Sequence, residues 1–98
     1  MYRRAASLGN ADAMVKLGIC FENGEGIAKD MKKAIELFER AVSLGNADAM
    51  CNLGNCCEKG EGEVKDEKRA IGLYKRAVSL GNAAAMVNLA ICYENGEG

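Results

Sequence analysis

The sequence predicts an all-α fold, an α-solenoid of stacked antiparallel helix pairs. Three observations lead there: a self-similar period of 36 residues, apolar side chains at helical spacing within each period, and polar caps and glycine stops bounding each expected helix. Ser-Leu-Gly-Asn stands at 7–10 and returns at 43–46 and 79–82. Laying 11–46 over 47–82 gives 24 identical positions out of 36, and 83–98 begins a further copy. The single domain 1–98 therefore divides into a partial second helix (1–10), two whole repeats (11–46 and 47–82) and the first helix of a truncated repeat (83–98).

Each repeat reads the same way. Asn10 and Asn46 sit at N-cap positions, where a side-chain oxygen accepts a backbone N–H, and Asp12 and Asp48 follow in the electropositive first turn. Ala13, Met14, Leu17, Cys20 and Phe21 then recur at three-and-four spacing, which makes one buried face. Gly24 stops this first helix because glycine takes the left-handed conformation at low cost. After Gly24-Glu25-Gly26-Ile27, Asp30 caps a second helix whose Ala34, Ile35, Leu37, Phe38, Ala41, Val42 and Leu44 span about half its circumference, and Gly45 closes it. So wide an arc needs cover on two sides, from its own first helix and from the next repeat's. Stability must then come from stacking. Proline is absent and no β-branched alternation occurs, which argues against a sheet.

Composition narrows the function classes. The chain has 98 residues, 49% hydrophobic, and 13 basic side chains against 14 acidic ones, so it lacks the positive field that gathers nucleic acid. No stretch reaches the roughly 18 to 20 uninterrupted apolar residues of a membrane helix, and no signal segment follows Met1-Tyr2-Arg3-Arg4, so no membrane partner is expected. Five cysteines, an odd number without the spacing of small secreted domains, favour free thiols and a cytoplasmic location.

In each unit, Ala13, Leu17-Gly18, Phe21, Gly24, Gly26-Ile27, Asp30, Lys33-Ala34, Phe38, Ala41 and Gly45 fall in order on the pattern of the Sel-one-like repeat, a relative of the tetratricopeptide repeat, which the whole chain resembles. Three positions depart from it: Cys57 stands where Phe21 and Tyr93 are aromatic, Glu63 where Ile27 anchors the loop, and Ala90 where Gly18 and Gly54 are glycines. The resemblance implies a tetratricopeptide-like superhelix acting as an adaptor or scaffold in signalling and quality-control assemblies, in cytosolic and exported proteins alike. It also implies a cysteine-rich branch with a disulfide from the end of a second helix to the start of the next first helix. Val42 and Met50 occupy those positions, so that signature is missing.

Projected at 100° per residue, Asp12, Val15, Lys16, Ile19, Glu22 and Asn23 lie opposite the Ala13/Leu17/Phe21 face. Their counterparts are Asp48, Cys51, Asn52, Asn55, Glu58 and Lys59, then Val87, Asn88, Ile91, Glu94 and Asn95. With first helices lining the inner curve, these form a ladder along a concave groove, in which Lys16, Asn52 and Asn88 would hydrogen-bond the backbone or a carboxylate of an extended peptide. The competing reading is a solvated helix face. Apolar Val15, Ile19, Val87 and Ile91 on the supposed wet side favour the groove. On the second helices, Lys32, Glu36, Glu39, Arg40 and Ser43 form a polar arc that reads as a solvated face with pairs such as Glu36 and Arg40.

Catalytic and metal chemistry are poorly provisioned. Cys20, Cys56 and Cys92 lie one period apart on the core face, with no histidine and no Cys-x-x-Cys pair to complete a zinc site, so they read as small hydrophobes. Cys51, on the groove side, is the candidate reactive thiol, although no activating base is visible. The Gly-Glu-Gly loops follow helices and lack the Lys-Ser/Thr of phosphate loops. No enzyme activity and no cofactor is expected.

Two functions remain open: a scaffold or adaptor that binds a protein or peptide through the face lined by the first helices, and a structural or self-assembling unit, natural fragment or designed, without a dedicated ligand. Uncapped ends, with Leu89, Cys92 and Tyr93 expected as open apolar surface, also predict head-to-tail association or helix exchange between copies.

Overall fold

A computed structural model describes residues 6, 9–60, 62 and 65–96. Five helices follow one another: α1 (Ala11–Asn23), α2 (Met31–Ser43), α3 (Ala47–Lys59), α4 (Glu67–Ser79) and α5 (Ala83–Glu94), with no strand among the described residues. The first helix of each unit packs along its own second helix, α1 on α2 and α3 on α4. The second helices α2 and α4 then pack onto α3 and α5 of the following unit. The result is an elongated stack, 40 × 25 × 17 Å, with α1, α3 and α5 in one layer and α2 and α4 in the other. Most of the expected partial second helix over 1–10 lies outside the described residues; Ala6 within it is helical and buried. Glu63 also lies outside them.

The caps form as the sequence dictates. Asn10, Asn46 and Asn82 each accept a backbone N–H three residues on, from Ala13 (2.8 Å), Ala49 (2.9 Å) and Ala85 (2.8 Å). Asp30 and Asp66 do the same for Lys33 and Arg69. At the end of α2, Gly45 takes φ 81° and its N–H bonds the Val42 carbonyl at 2.9 Å, while the Asn46 N–H bonds the Ala41 carbonyl at 3.1 Å. This closure satisfies the last carbonyls of α2 and delivers Asn46 directly to the cap of α3.

Asparagine at these caps does a second job. While its oxygen caps α3, the Asn46 amide donates at 2.8 Å to the Asp12 carboxylate one repeat back, and Asn82 donates likewise to Asp48 at 2.8 Å. Serine or aspartate would cap equally well but offer no such amide donor. Asn46→Asp therefore lowers stability by about 1 kcal/mol, because it removes that donor and sets two carboxylates face to face. Urea denaturation checks this, and in an Asp12→Ala background the same change has almost no effect.

The core lies between the layers. Phe38 and Tyr74 are fully buried, and each lies on a glycine of the facing first helix: a Cβ at Gly18 would come 2.7 Å from Phe38 Cε1, and one at Gly54 would come 2.6 Å from Tyr74 Cε1. Only glycine permits so close an approach. Ala90, the third equivalent, is exposed on α5. Cys57 is fully buried, so the second unit packs around a thiol where the first holds Phe21.

Several expectations need correction. Leu44 is 56% exposed, because it falls one residue past the end of α2, where the chain is already turning. Cys20 is only half-buried, unlike Cys56 and Cys92. Cys92 is buried and its thiol donates to Glu58 Oε2 at 3.1 Å, so it contributes no open apolar surface; Tyr93 does. Glu36 and Arg40 form no ion pair, and the second-helix layer instead carries a pair between repeats, Arg69 Nη2 to Glu39 Oε2 at 3.1 Å. The remaining polar arc of α2 is exposed as expected.

Candidate functional site

Because consecutive first helices share one layer, equivalent side chains from α1, α3 and α5 meet across it. They enclose an open groove of about 690 Å³ lined by Asp12, Val15, Lys16 and Ile19 of α1, Asp48, Cys51, Asn52 and Asn55 of α3, and Ala84 and Asn88 of α5, with the cap residue Asn82. Nine of the seventeen residues projected onto this face from the sequence thus come together. The other eight, Glu22, Glu58 and Glu94 among them, do not line it. Asn23 is exposed at the end of α1 and donates to Glu25, Lys59 is exposed at the end of α3, Val87 and Ile91 are exposed on α5, and Asn95 lies just past it.

Val15 and Cys51, expected on the wet side, are each only 6% exposed. A single-helix projection omits the lateral neighbour, and the next first helix covers these positions and makes them the apolar floor. Asn82 and Ala84 were missed. The signal for Asn82 was available in the sequence, since it repeats Asn10 and Asn46.

Beneath the groove runs a polar network that ties three helices. The Tyr74 hydroxyl on α4 lies 2.7 Å from Asn55 Oδ1 and 3.1 Å from Glu58 Oε1, both on α3. From α5, the Asn88 amide donates to the same Asn55 oxygen at 3.1 Å and to Cys51 Sγ at 3.3 Å. In the first unit the positions of Tyr74 and Asn55 hold Phe38 and Ile19, so the apolar pair has become a polar pair at both members together. Burial raises the Tyr74 hydroxyl's pKa well above its ordinary value, and the Glu58 charge and hydrogen bond push the same way. Burial also pushes the Cys51 thiol up; the Asn88 hydrogen bond opposes this and the Asp48 charge adds to it. Cys51 is therefore held as a neutral thiol, the opposite of an activated nucleophile.

All five cysteines are free thiols, and the described residues contain no group of three or more His, Cys, Asp or Glu side chains placed to hold a metal ion. No helix among the described residues is long and apolar enough to cross a membrane.

A two-layer stack of helix pairs with one groove across its first helices defines a helical-repeat solenoid of the tetratricopeptide-like kind. The chain belongs to the Sel1 repeat family, whose pattern matches residues 1–10, 11–46, 47–82 and 83–98. Among solved structures, it is similar to a Sel1 repeat protein from Oxalobacter formigenes (32% identity, TM-score 0.92), covering 99% of this chain and 40% of that one. It is also similar to c5321, a protective antigen of uropathogenic Escherichia coli strains displaying an SLR fold (28% identity, TM-score 0.91; 97% of this chain, 20% of that one). A third is the cysteine-rich protein B of Helicobacter pylori (32% identity, TM-score 0.83; 90% of this chain, 66% of that one). The chain thus spans 40% and 20% of the length of the first two. Comparison with curated proteins gives no match. Sel1 repeats generally form non-catalytic scaffolds that mediate protein–protein interactions.

Proposed function

We propose that this chain is a protein-interaction module that holds an extended segment of a partner protein in the groove across α1, α3 and α5. The observation that carries this reading is the groove itself: three successive repeats contribute equivalent side chains to one open channel of about 690 Å³ on a rigid two-layer support. Its mixed lining, apolar at Val15 and Ile19 and amide at Asn52 and Asn88, suits a peptide with alternating side chains.

The test selects binding peptides from a displayed random library, then measures them against Ile19→Ala and Asn52→Ala. Both variants are expected to keep the helical circular dichroism of the parent and to lose about tenfold in affinity, because each removes contact at the centre of the site without adding charge. Peptides that bind both variants as tightly as the parent overturn the groove reading. A second reading, a self-assembling unit without a dedicated ligand, draws on the exposed Met86, Val87, Ile91 and Tyr93 of α5. Sedimentation that shows dimers dissolved by Ile91→Lys favours it.

A further inference from the structure

The groove's free hydrogen-bonding capacity is unevenly divided. Both hydrogens of the Asn88 amide are engaged, to Asn55 and Cys51. Asn52 donates to the backbone carbonyl of Asp48 at 3.0 Å, and Asn82 donates to the Asp48 side chain. Asn88 thus has no amide hydrogen left for a peptide, whereas Asn52 keeps one. The carbonyl oxygens of Asn52 and Asn88 make no hydrogen bond among the described residues. Asp12 and Asp48, both lining the groove, each use one carboxylate oxygen to hold the next repeat's asparagine, which fixes the carboxylate there. Acceptors therefore recur from repeat to repeat. The cation Lys16 does not, since its counterparts are Asn52 and Asn88.

Charge is sorted in the same sense across the whole stack. The helices α1, α3 and α5 carry five acidic and two basic side chains, whereas α2 and α4 carry three acidic and seven basic ones. A net charge of −1 hides this division between an acidic layer that contains the groove and a basic layer behind it.

We infer that the groove selects segments presenting lysine or arginine side chains, whose N–H donors meet the Asn52 and Asn88 oxygens and the Asp12 and Asp48 carboxylates. This rests on the groove reading above and assigns its ligand chemistry. Ammonium and guanidinium groups carry only donors and a positive charge, and the charge-assisted bonds they form to fixed carboxylates are the stronger kind. Aspartate or glutamate side chains would meet the same oxygens as like dipoles and like charges.

The test reads the composition of peptides selected from the random library. Enrichment of lysine and arginine over the unselected pool supports the inference, as does a loss of about tenfold in affinity for those peptides in Asp12→Asn/Asp48→Asn. That variant keeps an oxygen for Asn46 and Asn82, so its fold is preserved; a thermal melt matching the parent verifies this. Selected peptides without basic enrichment, or enriched in acidic residues, overturn the inference while the groove reading stands, provided Ile19→Ala still weakens their binding. Recovery of no peptide, or of peptides indifferent to Ile19→Ala, overturns both.

Discussion

Gly54→Ala lowers the stability of the chain by about 2 kcal/mol, although alanine is the better helix former by about 1 kcal/mol. The new Cβ would lie 2.6 Å from Tyr74 Cε1 and 3.0 Å from Cδ1, and the Tyr74 ring is 0% exposed. A buried ring has no soft degree of freedom with which to retreat, so α3 and α4 must part or the ring must leave its rotamer. Urea denaturation of three variants isolates the cause. Gly72→Ala, on the exposed side of α4 with nothing within 4 Å of the added atom, is expected to stabilise by up to about 1 kcal/mol. Adding Tyr74→Leu to Gly54→Ala is expected to cost clearly less than the two changes measured separately, since the shorter side chain removes the collision. A neutral Gly54→Ala would mean that the glycine contact does not set the spacing of the pair. The first unit repeats the arrangement with Gly18 and Phe38, where the added atom would come 2.7 Å from the ring.

Gly18 and Gly54 each accommodate an aromatic ring from the second helix, and nothing in the structure explains the alanine at their equivalent, Ala90. The helix frame was legible because its determinants are local: asparagine and aspartate caps, glycine stops and three-and-four apolar spacing all act within a few residues. What escaped was lateral. Val15 and Cys51 project away from the partner helix of their own hairpin, yet the neighbouring repeat buries them. Asn88 was read as a ligand donor, and both its amide hydrogens turn out to serve Asn55 and Cys51. Those contacts lie 33 and 37 residues apart in sequence, and no single-helix projection contains them. The paired change from Phe38 and Ile19 to Tyr74 and Asn55 was visible as two substitutions; only the structure shows that they meet.

Above pH 10 the chain is expected to lose stability steeply, and Tyr74→Phe is expected to remove much of that loss. In the folded chain the Tyr74 hydroxyl is fully buried among Asn55 and Glu58, and its pKa is raised far above the ordinary 10.0, first by burial and then by the Glu58 carboxylate. The folded chain therefore keeps this proton at pH values where the unfolded chain releases it. The stabilisation is complete below pH 10 and declines as pH rises beyond it, at about 1.4 kcal/mol per pH unit for one proton, or roughly 2 to 3 kcal/mol by pH 12. Cys51 acts in the same direction from its ordinary value of 9.0, because burial raises it as well. At neutral pH the phenylalanine variant has a different cost, about 1 kcal/mol, since Asn55 and Glu58 lose the hydroxyl while Asn88 still donates to Asn55. The free energy of urea unfolding, followed from pH 8 to 12 in parent and variant, separates the two effects. Lysine titration is common to both proteins and cancels in the difference. The parent should begin as the more stable protein and end as the less stable one; curves that stay parallel through pH 10 would show that the hydroxyl reaches solvent and that the network joining α3, α4 and α5 is open there.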